Sequence, residues 1–124
     1  MNFDKLKDDL KEHGIKVGFM KKGLYRQLSD FIPEDAEIVA AGEGLDSKSA
    51  NATPAIVTNN NVYLAKYPSV MSLPDVATIK RESITGCEVN GGLLATLTIS
   101  TTSKDYQIER IPKPTAAKIA SVLA

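Results

Sequence analysis

A two-residue period in hydrophobicity is the feature that most constrains how this chain can fold. It is clearest in LLATLTISTT, residues 93–102, where Leu93, Ala95, Leu97 and Ile99 fall on one side of an extended backbone. The residues between them fall on the other side, because successive side chains of a strand point to opposite faces. The stretch therefore predicts a β-strand with one buried face, and it places Leu93 on that face.

Six further segments have the same extended character, and clusters of Gly, Asn, Ser and Pro separate them. They cover residues 38–45, 53–58, 62–67, 76–80, 84–89 and 104–109. A parallel crossover needs about a dozen residues or more between strands, usually as a helix, and these connections are too short for that. The sequence therefore predicts seven antiparallel strands joined by short turns.

Three consecutive asparagines interrupt the stretch PAIVTNNNVYLAKY, residues 54–67. Asn60 and Asn61 fall between two short apolar runs that we interpret as the second and third strands. Asparagine tolerates the positive φ of a tight hairpin turn better than any residue except glycine. We expect a turn at these two residues and no chemistry of their own.

Residues 1–35 have a helical period instead. Leu6 and Leu10 lie on one face of a first short amphipathic helix. A second helix begins near Met20 and ends before Pro33, whose ring and missing N–H prevent another turn. Neither helix is long enough to be stable alone, so we expect both to dock, on this chain or on a neighbouring one.

The C-terminal stretch IPKPTAAKIASVLA predicts a closing helix. Pro112 and Pro114 cannot donate to a sheet ladder but suit the first turn of a helix. An apolar stripe follows at Ala116, Ile119, Ala120 and Leu123. Seven antiparallel strands leave two sheet edges exposed, and an amphipathic helix placed at the open corner would cover them.

Several phrases of the sequence resemble bacterial pleckstrin-homology (PH) domain families, in particular the YokE-like group. The phrases are IPEDAEIVAAGEG, AIVTNNNVYLAKY, VATIKRESITGCEV and YQIERIPKPTAAKIASVL, and the resemblance spans residues 20–124. It implies a PH-like fold and self-association, because similar bacterial domains often look like ring-forming homo-oligomers. Together with the period, it predicts a mainly β fold with α+β elements.

The predicted architecture is a PH-like bent seven-stranded antiparallel barrel capped by a C-terminal helix, with an N-terminal helical extension. The extension covers residues 1–35, and the barrel with its helix covers residues 36–124, in one compact domain.

One departure from the wider PH pattern concerns lipid binding. Eukaryotic PH domains that bind phosphoinositides carry a basic motif across the first strand pair. Between Gly42 and Val57 this chain has Lys48 as its one basic residue, and Glu43 and Asp46 stand beside it. Several charge-assisted contacts are needed to hold a polyphosphate headgroup, so we do not expect that mode of binding.

The composition and the reactive residue types limit the functional classes. The 15 basic residues balance the 15 acidic ones, which disfavours nucleic-acid binding. Cys87 is the single cysteine and His13 the single histidine, so we expect no disulfide, metal, cofactor or catalytic site. The first residues lack the apolar core of a signal peptide, and we expect a cytoplasmic protein.

Two stretches are candidate binding sites. In KVGFMKKGLYR, residues 16–26, Lys16, Lys21, Lys22 and Arg26 stand among apolar residues without an acid, as in a segment that lies on anionic lipid. The alternative is a helix whose leucines dock on the sheet while the lysines point to water.

The second stretch is the loop YPSVMSLPD, residues 67–75. Val70, Met71 and Leu73 lie between two prolines, where a fully solvated loop would be polar. They would contact a partner or a neighbouring subunit, or pack within their own chain.

The sequence thus favours a non-catalytic PH-like binding module that acts through protein–protein contacts, with homo-oligomerisation as the leading case. The alternative is peripheral attachment to anionic membrane lipid through residues 16–26.

Overall fold

The computed structural model describes residues 1–67 and 73–124, and within them the protein is mainly β. Two helices, α1 (Phe3–Glu12) and α2 (Lys22–Phe31), open the chain, and a 3₁₀ turn (Phe19–Lys21) joins directly onto α2. A closing helix, α3 (Lys113–Leu123), ends it. The strands between them are β1 (Ile38–Leu45), β2 (Ala52–Thr58), β3 (Asn61–Lys66), β4 (Asp75–Lys80), β5 (Ile84–Gly91), β6 (Leu94–Thr101) and β7 (Asp105–Pro112).

The strands form two antiparallel sheets, and within each sheet the hydrogen-bonded strands are consecutive in the sequence. The first sheet has the order β1-β2-β3-β4 and the second has the order β5-β6-β7. The prediction of a mainly β fold with seven antiparallel strands, N-terminal helices and a C-terminal helix is confirmed. The predicted strands lie within a few residues of the observed ones, since hydrophobic alternation locates strand centres better than strand ends.

Side chains from both faces of the first sheet are buried. The inner face packs against the second sheet, and α3 lies against β1, β5 and β6. The members of this inter-sheet core include Ala55, Val57, Val62, Leu64, Leu97, Ile99, Ile108, Ile111, Ala116 and Ile119. The apolar stripe predicted for the closing helix therefore points into the core through Ala116 and Ile119.

The outer face of the first sheet packs under the N-terminal helices. Leu6 and Leu10 of α1 and Leu28 of α2 belong to one buried cluster with Ile56 and Tyr63 of the sheet. The Nε2–H group of His13, at the end of α1, also donates to the Ile38 carbonyl at 3.1 Å. The two helices, which are too short to be stable alone, therefore dock on the sheet of their own chain.

The second sheet buries one face. Along β6, Ala95, Leu97 and Ile99 are buried and the alternate residues are partly exposed, as the period predicts. The expectation that Leu93 shares the buried face is wrong, because Leu93 precedes the strand and is 92% exposed. The chain is still turning there, after Gly91 with its φ of +120°.

The asparagine turn lies one residue earlier than predicted. Asn59 and Asn60 are its central residues and Asn61 is the first residue of β3. Among the described non-glycine residues, positive φ occurs at Ala50 and Arg110, so the expected positive φ at the asparagines is wrong. The Thr58 hydroxyl instead closes the turn by accepting hydrogen bonds from the backbone N–H groups of Asn60 (3.4 Å) and Asn61 (3.1 Å).

Two glycines let the sheets meet at β1 and β7. A Cβ atom on Gly42 would lie 2.6 Å from the Thr115 methyl carbon, and one on Gly44 would overlap the Glu109 carbonyl oxygen. The inner side of β1 therefore has no room for side chains at these positions, and glycine permits the close approach.

Candidate functional site

The turn between α1 and α2 carries the two consecutive large apolar side chains that are most exposed among the described residues. Phe19 is 86% exposed and Met20 is 92% exposed. Both lie on the 3₁₀ turn that begins after Gly18, and the Lys21 N–H closes it by donating to the Gly18 carbonyl at 3.1 Å. We call residues 18–21 the Phe19–Met20 turn.

The turn is held at both ends by buried residues. Val17 before it and Leu24 after it belong to the cluster under the helices. The side chains of Phe19 and Met20 are therefore exposed on a fixed part of the structure. A fixed apolar turn pays less entropy on binding a partner or a surface than a mobile one.

A hydrogen-bonded network fixes the base of the turn. Glu43, on the outer face of β1, accepts hydrogen bonds from the Tyr25 hydroxyl and from the Lys21 ammonium group. Burial, and then the negative charge of Glu43, raises the pKa of Tyr25 above its usual range. The phenol therefore stays protonated and keeps α2 attached to β1.

The four basic residues predicted to contact lipid have three different environments. Lys16 and Lys22 are exposed on either side of the turn. Lys21 is paired with Glu43, and the Arg26 guanidinium lies over the ring of Phe3 at 4.9 Å. Lipid contact by this segment stays a prediction, and the pairing of Lys21 with Glu43 joins residues too distant in the chain for spacing to reveal.

The loop predicted to contact a partner is described only at its end. Val70 and Met71 lie outside the described residues. Leu73 is 82% exposed, and the next residue, Pro74, accepts a hydrogen bond from the Gln27 side-chain amide at 3.1 Å. Leu73 therefore lies close to α2, on the helical side of the first sheet.

A second apolar surface lies at the turn between β5 and β6. Leu93 is 92% exposed and Leu94 58% exposed. Leu93 also lines a hollow of about 480 Å³ together with Gly92, Lys113 and Pro114. We call this apolar surface the Leu93–Leu94 surface. Sequence reasoning missed it by extending the strand period through Leu93, although the preceding Gly91-Gly92 pair is a typical turn signal.

The asparagine turn lines a polar hollow of about 440 Å³ together with Lys80, Arg81 and Glu82. The Arg81 guanidinium donates to the carbonyl oxygens of Thr58 (3.2 Å) and Val122 (2.9 Å). The Arg81 side chain therefore joins the hairpin to the end of α3. Since its donors are used in this way, the hollow gives no evidence of a ligand.

Residues able to perform catalysis are few. Cys87 is half-buried on β5, and burial raises the pKa of its thiol, which disfavours the reactive thiolate. No group of three or more potential metal ligands occurs within residues 1–67 and 73–124. In the same ranges, no helix is both long enough and apolar enough to cross a membrane.

The comparisons with known proteins add no relative. No family model matches the chain, and neither curated proteins nor solved structures give a significant match. The resemblance to bacterial PH domains therefore stays a prediction.

Proposed function

We propose that this protein is a non-catalytic binding module that attaches peripherally to anionic membranes through the Phe19–Met20 turn. The observation that carries the proposal is the exposure of Phe19 and Met20 between Lys16 and Lys22, two exposed lysines that form no ion pair with any residue that the structure describes. An apolar tip with basic residues beside it suits the boundary between headgroups and acyl chains.

The energies expected of such a contact are moderate. Burying a large apolar side chain contributes about 1.5–3 kcal/mol relative to leaving it in water, and a lysine near an anionic leaflet about 1 kcal/mol. Two apolar side chains and a few cations therefore give reversible attachment that depends on both contributions. Salt weakens the charged part, because exposed charges are screened.

The environments of the basic residues rank their contributions. Lys22 has no ion pair among the described residues and is free to face anionic headgroups. Lys21 already neutralises Glu43, so its charge adds less to the local field. Replacing Lys22 by Gln should therefore weaken vesicle binding more than replacing Lys21.

The test is cosedimentation with phosphatidylcholine vesicles that contain or lack phosphatidylserine. We expect the protein to bind the anionic vesicles, and we expect the double variant F19S/M20S to lose that binding. The variant L93S is the matched control, because Leu93 is as exposed as Met20 but lies at the β5–β6 turn. Equal binding of F19S/M20S and the parent protein would contradict the proposal.

Self-association is a second candidate function, and the Leu93–Leu94 surface supports it. Exposed apolar residues gathered on one surface are typical of protein contact sites. A dilution series in light scattering should show a mass above the monomer that falls in the variant L93S/L94T. A monomer mass at all concentrations would argue against this candidate and would leave membrane attachment unaffected.

A further inference from the structure

A groove rimmed by lysines lies beside the Phe19–Met20 turn. It has a volume of about 340 Å³ and runs between α1 and the segment that follows it. Its lining residues are Lys7, Asp8, Lys11, Ile15, Lys16 and Val17. We call it the lysine groove.

The groove has an excess of positive charge. Lys7 and Lys11 are one helical turn apart and neighbours on α1, and Lys16 joins them from the next segment. Like charges four residues apart destabilise a helix unless something of opposite charge lies between them. Three ammonium groups and the Asp8 carboxylate leave a formal net charge of two positive.

The groove lysines form no ion pair with the described part of the chain. The ion pairs within the described ranges are Lys5–Asp9, Lys21–Glu43 and the Met1 amino group with Glu34. Lys7, Lys11 and Lys16 take part in none of them. Their ammonium groups are therefore available to an anion.

Apolar residues line the groove beside the lysines. Ile15 and Val17 are part of its lining and belong to the cluster under the helices. A ligand in the groove therefore meets both ammonium groups and hydrocarbon. This combination suits an anionic amphiphile better than a fully hydrated ion.

The groove and the turn are close neighbours. Val17 lines the groove and Phe19 lies on the turn, and two residues span at most about 7 Å. A headgroup in the groove would thus be near the side chains that we propose to enter the acyl region. One orientation of the protein on the membrane would allow both the headgroup contact and the insertion of Phe19 and Met20.

We infer that the lysine groove binds the phosphomonoester headgroup of an anionic lipid. A phosphomonoester carries between one and two negative charges and three acceptor oxygens, which match the three ammonium groups and the net charge of the groove. This inference rests on the proposed membrane attachment and adds to it a selectivity for the headgroup.

The test separates headgroup recognition from membrane insertion. The full chain is titrated by NMR with dihexanoyl phosphatidic acid below its micellar concentration, and separately with dihexanoyl phosphatidylserine and inorganic phosphate. We expect the phosphatidic acid analogue to bind most tightly. The variant K7Q/K11Q should weaken its binding by roughly thirtyfold, because two of three cations near the anion are lost.

Two controls make the result specific. K5Q removes a lysine from the same helix but outside the groove, where it pairs with Asp9, and should change the affinity by less than about twofold. F19S/M20S should keep the affinity for the short-chain lipid while losing vesicle binding.

Each contrary outcome has a separate meaning. An unchanged affinity in K7Q/K11Q, or equal binding of phosphatidylserine, would overturn the groove assignment and leave membrane attachment standing. Equal affinity for inorganic phosphate would make the groove a site for free anions and overturn the lipid assignment. Binding of the analogue without binding to any anionic vesicle would overturn the membrane attachment itself.

Discussion

The two sheets of this protein differ in how many of their faces are buried. The first sheet, β1 to β4, lies between the N-terminal helices and the second sheet, and β2 and β3 are buried almost throughout. The second sheet, β5 to β7, packs one face inward and turns a polar face outward. The sequence pattern indicates this difference. AIV in β2 and VYLA in β3 are continuous apolar runs, whereas LATLTIS in β6 alternates.

The N-terminal helices have a structural role in burying the first sheet. They form a layer that the first sheet requires, because without them the outer face with Ile56 and Tyr63 would meet water. The Phe19–Met20 turn belongs to this layer, and the Leu93–Leu94 surface lies at the β5–β6 turn, at one end of the second sheet. The Phe19–Met20 turn is therefore associated with the first sheet, and the Leu93–Leu94 surface with the second.

Replacing Ile56 by Ala gives the strongest test of this difference. Ile56 is fully buried under the helices, so we expect the free energy of unfolding to fall by about 2–5 kcal/mol, as for other large core truncations. Urea unfolding followed by circular dichroism measures the loss. Thr98→Ala, on the outer face of the second sheet, is the control and should stay within about 0.5 kcal/mol. Similar small effects for both would mean that the helices do not cover the first sheet.

Replacing Gly44 by Ala tests the close contact between the sheets. The added methyl group would overlap the Glu109 carbonyl and approach the Ile108 side chain at 2.6 Å. We expect a loss of about 1–3 kcal/mol from overpacking, measured by thermal or urea unfolding. The matched substitution is Gly86→Ala on β5, where nothing lies within 4 Å of the added atom. A larger effect at Gly86 would contradict the assigned contact.

Replacing Tyr25 by Phe breaks one link between the helical layer and β1. The variant loses the hydrogen bond to the Glu43 carboxylate, and we expect a loss of about 1.5–3 kcal/mol near neutral pH. Urea midpoints of the two proteins measure it. No change would mean that the phenol does not hold α2 against the sheet.

The same tyrosine gives the parent protein an expected pH dependence. The folded-state pKa of Tyr25 lies above its ordinary value of 10.0, so the unfolded chain releases this proton first. The stabilisation is complete below pH 10 and falls as the pH rises above it. Urea midpoints measured across this range should therefore decrease more steeply for the parent protein than for Tyr25→Phe, and equal slopes would contradict the assignment.

Replacing Asn2 by Ala should have the smallest effect in this series. The Asn2 side chain caps α1 by accepting from the Asp4 N–H at 2.8 Å, and loss of such a cap costs about 1 kcal/mol. If α1 unfolds together with the first sheet, the urea midpoint of the whole protein will shift. A shift confined to helix fraying, seen by hydrogen exchange in α1 alone, would separate the helix from the sheet it covers.

Much of the fold could be predicted from local patterns. Alternation located all seven described strands, and a helical period located the three helices, because both patterns record which side of an element meets the core. The turn lies at Asn59 and Asn60, one residue earlier than predicted, because the Thr58 hydroxyl closes it without positive φ.

The candidate sites were less predictable, because they depend on contacts between distant parts of the chain. The sequence identified residues 16–26 as basic and apolar but could not say that Phe19 and Met20 remain uncovered while Leu24 is buried. Nor could it show that Glu43 takes Lys21 and Tyr25 as partners. The lysine groove was missed for the same reason, since it needs α1 and the following segment to be folded together.

The order of the strands also bears on how the chain finds its fold. Every pairing within a sheet joins consecutive strands, so each hairpin can close a short loop at low entropic cost. The contact of β1 with β7 at Gly44 and Glu109 instead joins distant parts of the chain. Since non-local contacts limit folding rates, the slow event is expected to be the meeting of two sheets that have already formed. The close contact of Gly44 with the backbone of β7 would then affect the rate of folding as well as the final stability.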